Sequence, residues 1–359
     1  MQTAGAASPL TRYLAAAYAL LIVYACLHPF TGWRDTGLPL FDYLVAPWPK
    51  YYRMEDIILN VLGYIPLGFV LAPTLPRRLG RIGAVIVTTV LAGMLSLSIE
   101  TTQNFLPSRI SANVDLGCNV IGAFIGAVLG ALWGHRLFDQ RGWLHRWRSE
   151  RIIPGRSGDL GLILLGLWLL TQLMPEQMLF SSGDLRRMLQ IPTPLAFDPE
   201  RFITLEGTLV ATSMLAIGLL ARCMMRTRHP IPILMLLLLA IGAKSLASLS
   251  FFVPGTSTAW LTPGTQNGLI AGGVLLGIAL LLPRIHQHAL AGLAMLVATT
   301  LANLIPENPY LAVGQRLLDR GNFLNFHGLT QFVASIWPFL ALAYLSALGL
   351  WRGEHLHER

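Results

Sequence analysis

Residues 100–119 read ETTQNFLPSRISANVDLGCN. Seven of their side chains are polar or charged in ways that matter to a membrane: Glu100, Gln103, Asn104, Arg109, Asn113, Asp115 and Asn119. On either side lie apolar runs, Ile82 to Thr101 and Asp115 to Trp133, each about 20 residues long. Such a run crosses the hydrocarbon core of a bilayer as a helix at 1.5 Å per residue. A similar polar step, Glu55, Asp56 and Asn60, opens the apolar run before them. The stretch therefore reads as the polar centre of an all-α polytopic membrane protein.

The composition agrees. The chain has 359 residues, 54% hydrophobic and 12% charged, with a mean hydropathy of +0.57. Soluble domains carry about 25% charged residues. Run lengths near 20 also argue against a β-barrel, whose strands are about 10 residues long with period two. The net charge of +8 and pI of 9.8 do not point to nucleic acid, because the arginines cluster in short loops between apolar runs and not on one soluble face. Cys26, Cys118 and Cys223 lie in or beside apolar runs without metal-type spacing and read as small buried residues. The first apolar run has no charged n-region and no cleavage signature before Pro29, so it reads as a retained helix.

Ten helices are predicted: Tyr13–Leu27, Glu55–Leu71, Ile82–Thr101, Asp115–Trp133, Leu160–Met174, Ile203–Met225, Ile231–Val253, Gly264–Leu282, Ala289–Ile305 and Leu329–Leu350. With both termini in the cytoplasm, the basic loops (Arg77/Arg78/Arg81, Arg136 to Arg156, Arg222 to Arg228, Arg284, and the tail at Arg352) all fall on one side, as the positive-inside rule requires. Residues 1–135 then form one membrane domain of about four helices. Residues 136–158 form a basic cytoplasmic linker, in which Trp143, Leu144 and Trp147 suit a turn lying flat on the bilayer. Residues 159–359 form a second membrane module of about six helices. The connector from Gln103 to Asn113 falls on the outer face, together with Asp56 and Glu100.

Helical phase at 100° per residue gathers these residues. Asp56, Asn60 and Gly63 share one face of the second helix. Ser96, Glu100 and Gln103 share one face of the third, and Asp115, Asn119 and Gly122 one face of the fourth. Gly122, Gly126, Gly130 and Gly134 extend the last face at spacings of four, a pattern that lets two helices approach closely. A bare charge facing lipid costs several kcal/mol, so the three polar faces should turn toward one another. The candidate ligand-binding set is Asp56, Asn60, Glu100, Gln103, Arg109, Asp115 and Asn119. Its bland alternative is structural: Asp115 caps the fourth helix, Arg109 pairs with Glu100, and Asn60 and Asn119 act as interhelical glue.

Three pieces of this region resemble the VanZ-like family of bacterial membrane proteins: Asp56-x-x-x-Asn60-x-x-Gly63-Tyr64-x-Pro66-Leu67-Gly68, then Ser98-x-Glu100-x-x-Gln103-x-Phe105-Leu106-Pro107-x-Arg109, then Asp115-x-x-x-Asn119-x-x-Gly122. The resemblance covers about residues 55–133. It implies a multi-helix domain of the bacterial cytoplasmic membrane, in a family whose founding member is linked to resistance to teicoplanin-type glycopeptides. The second module departs from a simple member of that kind.

Secondary candidates lie in the second module. Lys244 sits deep in the seventh helix and needs a partner. Glu206, one turn into the sixth, is the expected one. Gln266, Asn267, Asn303 and Glu307 fall in the outer portions of their helices. The outer connector from Pro306 to His327 reads as an interfacial segment. His286-x-His288, expected in an inner loop, and His355-x-His357, expected in the tail, have no company of metal-site type. No P-loop, G-x-S-x-G, H-E-x-x-H or dinucleotide fingerprint occurs, and neither cofactor nor metal is expected. The leading reading is a protein that recognises or sequesters a cell-envelope precursor or another lipid-linked ligand. The alternatives are a membrane-embedded enzyme acting on a lipid-linked phosphate or acyl group, and a lipid or solute transporter.

Overall fold

The computed structural model describes residues 9–28, 30–35, 37, 39–47, 54–106, 111–139, 142–174, 176–189, 191–251, 258–306 and 327–357. Ten long helices occur among them: α1 (Pro9–Leu27), α2 (Met54–Leu71), α3 (Gly80–Gln103), α4 (Asn113–Leu129), α5 (Gly155–Thr171), α6 (Pro199–Met224), α7 (Ile231–Phe251), α8 (Pro263–Ala279), α9 (Arg284–Leu304) and α10 (His327–His357). Each overlaps one of the predicted segments. The described residues include no β-strand, only an isolated bridge between Ile152 and Met225. Among the described residues, seven helical spans are long and apolar enough to cross a membrane, and they include α2, α3, α4, α6, α7, α9 and α10. The chain is an all-α multi-pass membrane protein.

Some boundaries differ from the sequence reading, for local reasons. α9 begins at Arg284, not Ala289, because Pro283 in extended conformation closes the preceding loop and starts the helix. His286 and His288 are therefore helical rather than in a loop. α10 runs through His355 and His357, which were expected in a tail. α5 starts five residues early, at Gly155, and stops at Thr171. Between 136 and 158 the chain forms a helix, Trp143–Arg151, in which the Trp143 and Trp147 rings lie 6.5 Å apart. The connector at 307–326 lies outside the described residues.

The chain divides into two compact units. Among the described residues, the first spans residues 9–149 and the second residues 150–306 and 327–357.

In the first unit the closest pair is α2 with α4. A Cβ added to Gly122 would overlap the Val61 carbonyl. Gly126 meets Ile65 in the same way, Gly130 meets Phe69 and Gly134 meets Pro73. Both series climb by four, so the two helices run parallel in a fixed register, and the glycine stripe of α4 has α2 as its partner. Gly68 of α2 returns the contact against Ala123. At this approach each helix gains dispersion contacts that a side chain would exclude. Pro66 lies inside α2 and removes one amide from its ladder. One turn away, the Tyr18 hydroxyl of α1 donates to the Gly63 carbonyl at 3.0 Å, which ties α1 to the bundle.

In the second unit α6 is the central helix, buried along most of its length and packed on α8 and α9. Gly264, Gly268 and Gly272 of α8 let it approach α6 at Ile203, Gly207 and Ala211. Trp168 and Trp337 are fully buried. Their indole N–H groups donate to the carbonyls of Phe180 (3.1 Å) and Leu164 (2.7 Å), as buried indoles require.

Candidate functional site

The polar side chains of the first unit gather at the end where α3 stops and α4 starts. α3 terminates at Gln103, and Phe105 and Leu106 make turn hydrogen bonds to Thr102 and Gln103. α4 begins at Asn113 after Ala112 in extended conformation, with no side chain capping it. Asp115, in its first turn, serves another purpose. Its Oδ1 accepts a 2.7 Å hydrogen bond from Nδ2 of Asn60 on α2.

Glu100 pins the return from α3 to α4. Its carboxylate Oε2 accepts from the Ala112 amide at 3.1 Å, and its backbone carbonyl accepts from the Ser111 hydroxyl at 2.6 Å. The side chain is 5% exposed. Glu100 and Asp115 stand within electrostatic reach of each other, at the ends of adjacent helices.

One turn deeper, Asn119 of α4 donates to the Ser96 hydroxyl of α3 at 2.9 Å. Both are buried, and Oδ1 of Asn119 has no hydrogen-bond partner among the described residues. Tyr64 of α2, 1% exposed, places its hydroxyl beside Ser96 and Glu100. The site thus has two tiers. Asn60, Asp115 and Glu100 form the outer one; Tyr64, Ser96 and Asn119 form the inner one. Each tier draws a residue from α2, α3 and α4.

Gln103 turns the other way. Its Nε2 donates to the Cys26 carbonyl of α1 at 2.9 Å. Asp56 lies on α2 one turn before Asn60, with its side chain outside the described residues, and Arg109 lies outside them altogether.

The segment between α1 and α2 lies against this end. Asn104 donates to the Leu40 carbonyl (2.9 Å) and Asn113 to the Ala46 carbonyl (2.8 Å). Tyr43, on the short helix Asp42–Val45, shares a 3.1 Å hydrogen bond with Thr101, and the Arg34 amide donates to Phe105. Sequence reasoning counted Asn104 and Asn113 as polar but did not find their role. The signal was their position at the two ends of the connector.

The second unit separates Glu206 from Lys244. Glu206 accepts from the hydroxyls of Thr262 (2.7 Å) and Thr265 (3.3 Å) at the start of α8. Lys244, 2% exposed, donates to the carbonyls of Met174 (2.8 Å) and Gln177. The expected ion pair between them is replaced by these partners, because α5 ends at Thr171 and leaves irregular backbone at the depth of Lys244. That backbone is highly bonded: Gln172 Oε1 accepts from the Phe180 amide, and Phe180 holds φ at +63°. Irregular backbone inside a membrane protein persists only with such internal partners.

Arg186 and Asp184, missed at the sequence level, complete this loop. Arg186 makes a two-point contact with Asp184, 3.0 Å at each nitrogen, and donates to the carbonyls of Ile305 (2.6 Å) and Ala302 (2.9 Å). It thereby caps the C-terminus of α9. Asn303 donates to Gly183 and accepts from the Leu185 amide. Gln266 donates to the Leu261 carbonyl, and Glu307 lies outside the described residues. No group of three or more His, Cys, Asp or Glu converges among the described residues.

The family model VanZ/LLP1 matches residues 11–134. The match takes in α1 as well as α2 to α4. The structure shows why α1 belongs with them: Tyr18 bonds α2, Cys26 receives Gln103, and Ile22 shares a buried cluster with Tyr64, Leu67 and Ile99. No curated protein and no solved structure matches the chain.

Proposed function

We propose that the VanZ-like segment of this membrane protein recognises a lipid-linked cell-envelope precursor at the two-tiered polar cluster of α2, α3 and α4. One observation carries the reading: two carboxylates, Glu100 and Asp115, are held at the same end of the bundle by hydrogen bonds from the Ala112 amide and Asn60. Crowded carboxylates favour a ligand that brings hydrogen-bond donors or positive charge. Amines, peptide amides and sugar hydroxyls of a wall precursor are of that kind. Arg109, in the connector that Glu100 pins, supplies the planar fork for the ligand's phosphate or carboxylate. By the positive-inside rule this end faces outward from a bacterial cytoplasmic membrane, where such precursors are used. The resemblance to the VanZ-like family extends this reading to a role in envelope stress or glycopeptide resistance.

The test is binding of a water-soluble lipid-linked precursor analogue to the purified full chain. Asp115→Asn and Glu100→Gln keep shape and remove charge. Each should weaken binding at least about tenfold, as expected for a hydrogen bond to a charged group, with unchanged melting behaviour. Unaltered affinity in both variants overturns the reading. Paired carboxylates also suit acid–base chemistry, so consumption of the analogue in the same assay would favour an enzyme over a binder.

A further inference from the structure

The opposite end of the first unit holds a second recess, of about 240 Å³, which the outer cluster does not explain. It opens where the turn after α2 meets the continuation of α4, a π-helical turn (Gly130–Gly134) followed by a short helix (His135–Phe138). Arg77, Arg81, His135 and Arg136 line it, and they come from three separate pieces of backbone. Gly80 is what makes them converge. It follows the 3-10 turn Arg77–Leu79 with φ at +65°, a value open to glycine at little cost. The chain reverses there into α3, and Arg77 and Arg81 face the same recess.

The floor is apolar. Ala72, Ala84 and Ala131 leave the space, and Leu75 and Leu132 wall it. Leu132 is 42% exposed, so the wall continues outward along the helix surface. One carboxylate organises part of the rim. Asp139 pairs with Arg77 and lies 3.3 Å from Nδ1 of His135. Arg81 and Arg136 make no ion pair among the described residues and are exposed. Three arginines against one aspartate leave the recess positively charged.

A basic loop is ordinarily a solvated topology signal. This one differs in shape. Its cations surround a concavity with an apolar floor at the end of the bundle that the positive-inside rule assigns to the cytoplasm. Basic pockets between membrane helices on that side suit anionic lipid headgroups. We infer that this recess binds the phosphate headgroup of an anionic glycerophospholipid of the inner leaflet, with Arg81 and Arg136 on the phosphate and Leu75 and Leu132 along the first methylenes of a chain. The bound lipid holds the α2–α3 turn against the end of α4.

The full chain, purified in a neutral detergent, is titrated with dioctanoyl phosphatidylglycerol, dioctanoyl phosphatidylcholine and inorganic phosphate, with binding read by thermophoresis. Saturable binding of the phosphatidylglycerol, without binding of the phosphatidylcholine, is the expected result. The double variant R81Q/R136Q should weaken it about twenty-five-fold, at about fivefold per basic residue. Arg78→Gln, in the same turn but outside the recess, should leave it unchanged. Both sites are exposed, and size-exclusion profiles and melting curves establish that the variants fold. Equal binding of phosphatidylcholine overturns the inference. So does inorganic phosphate binding as tightly as phosphatidylglycerol, which would make this a free-anion site. An equal loss in Arg78→Gln overturns it too, by reducing the effect to diffuse surface charge. None of these outcomes bears on the outer cluster.

Discussion

Nδ2 of Asn60 lies 2.7 Å from Oδ1 of Asp115 and joins α2 to α4 across 55 residues of sequence. The bond sits one turn outside the place where glycines bring the same two helices into backbone contact. The polar tie sets rotation and the glycines set distance, so the two constrain the same helix pair in different ways.

Asn60→Leu removes the donor of this bond. A loss of about 1 kcal/mol is expected, in the range measured for interhelical polar bonds in membranes. Unfolding of the purified chain in mixed detergent micelles measures it. The double variant N60L/D115L, read as a cycle with its singles, should show coupling of the same order; no coupling would mean that the two side chains act independently.

Glycine substitutions on α4 should divide sharply. In Gly126→Val the new Cβ meets the Ile65 carbonyl and the Phe69 amide, both backbone atoms that cannot step aside. A cost of about 3 kcal/mol follows from overpacking. Gly117 has open space around it, so Gly117→Ala should be neutral or gain about 0.5 kcal/mol from helix propensity. Thermal unfolding of the two variants side by side checks the contrast.

Arg186 is held by Asp184 and by two carbonyls at the end of α9. Asp184→Ala leaves a buried guanidinium without its counter-charge and should cost about 3 kcal/mol. Arg186→Met removes the charge but leaves the Ala302 and Ile305 carbonyls bare, and should cost less, about 2 kcal/mol. Limited proteolysis between residues 172 and 190 should speed up in both variants. An unchanged cleavage rate would show that the loop is held by other contacts.

Glu206 and Lys244 should behave as independent sites. Glu206→Gln keeps one acceptor oxygen and must reverse or lose the other hydroxyl bond to Thr262 or Thr265, and should cost about 1 kcal/mol. Lys244→Met strands the carbonyls of Met174 and Gln177 and should cost about 2 kcal/mol. The double variant should equal the sum of the singles within about 0.5 kcal/mol, which denaturant titration would establish.

The helices were legible in the sequence because apolar runs of membrane length and their Pro and Gly boundaries are local properties. The loop from Gln172 to Arg186 was not. Its partners are Trp168, Lys244, Ala302 and Ile305, and nothing in the residues between α5 and α6 announces a carbonyl that will face a lysine 70 positions away. Asp115 shows the same limit within a helix. Its place in the first turn fitted a cap, yet Ala112 takes the cap position uncapped and Asp115 bonds α2.

By itself the sequence determined that this chain is a helical membrane protein, that its VanZ-like segment concentrates polar residues between α3 and α4, and that a glycine stripe on α4 demands a close neighbour. Hydrophobic run length and helical phase carry that much, since both are written along one strand of chain. Only the tertiary structure decided that the neighbour is α2, in parallel register, that Asn60 meets Asp115 while Asn119 meets Ser96, and that Gln103 turns to α1. Those choices depend on the relative height and rotation of packed helices. In a bilayer, where apolar contact discriminates weakly between one neighbour and another, backbone approach at glycine and a few buried hydrogen bonds make the selection.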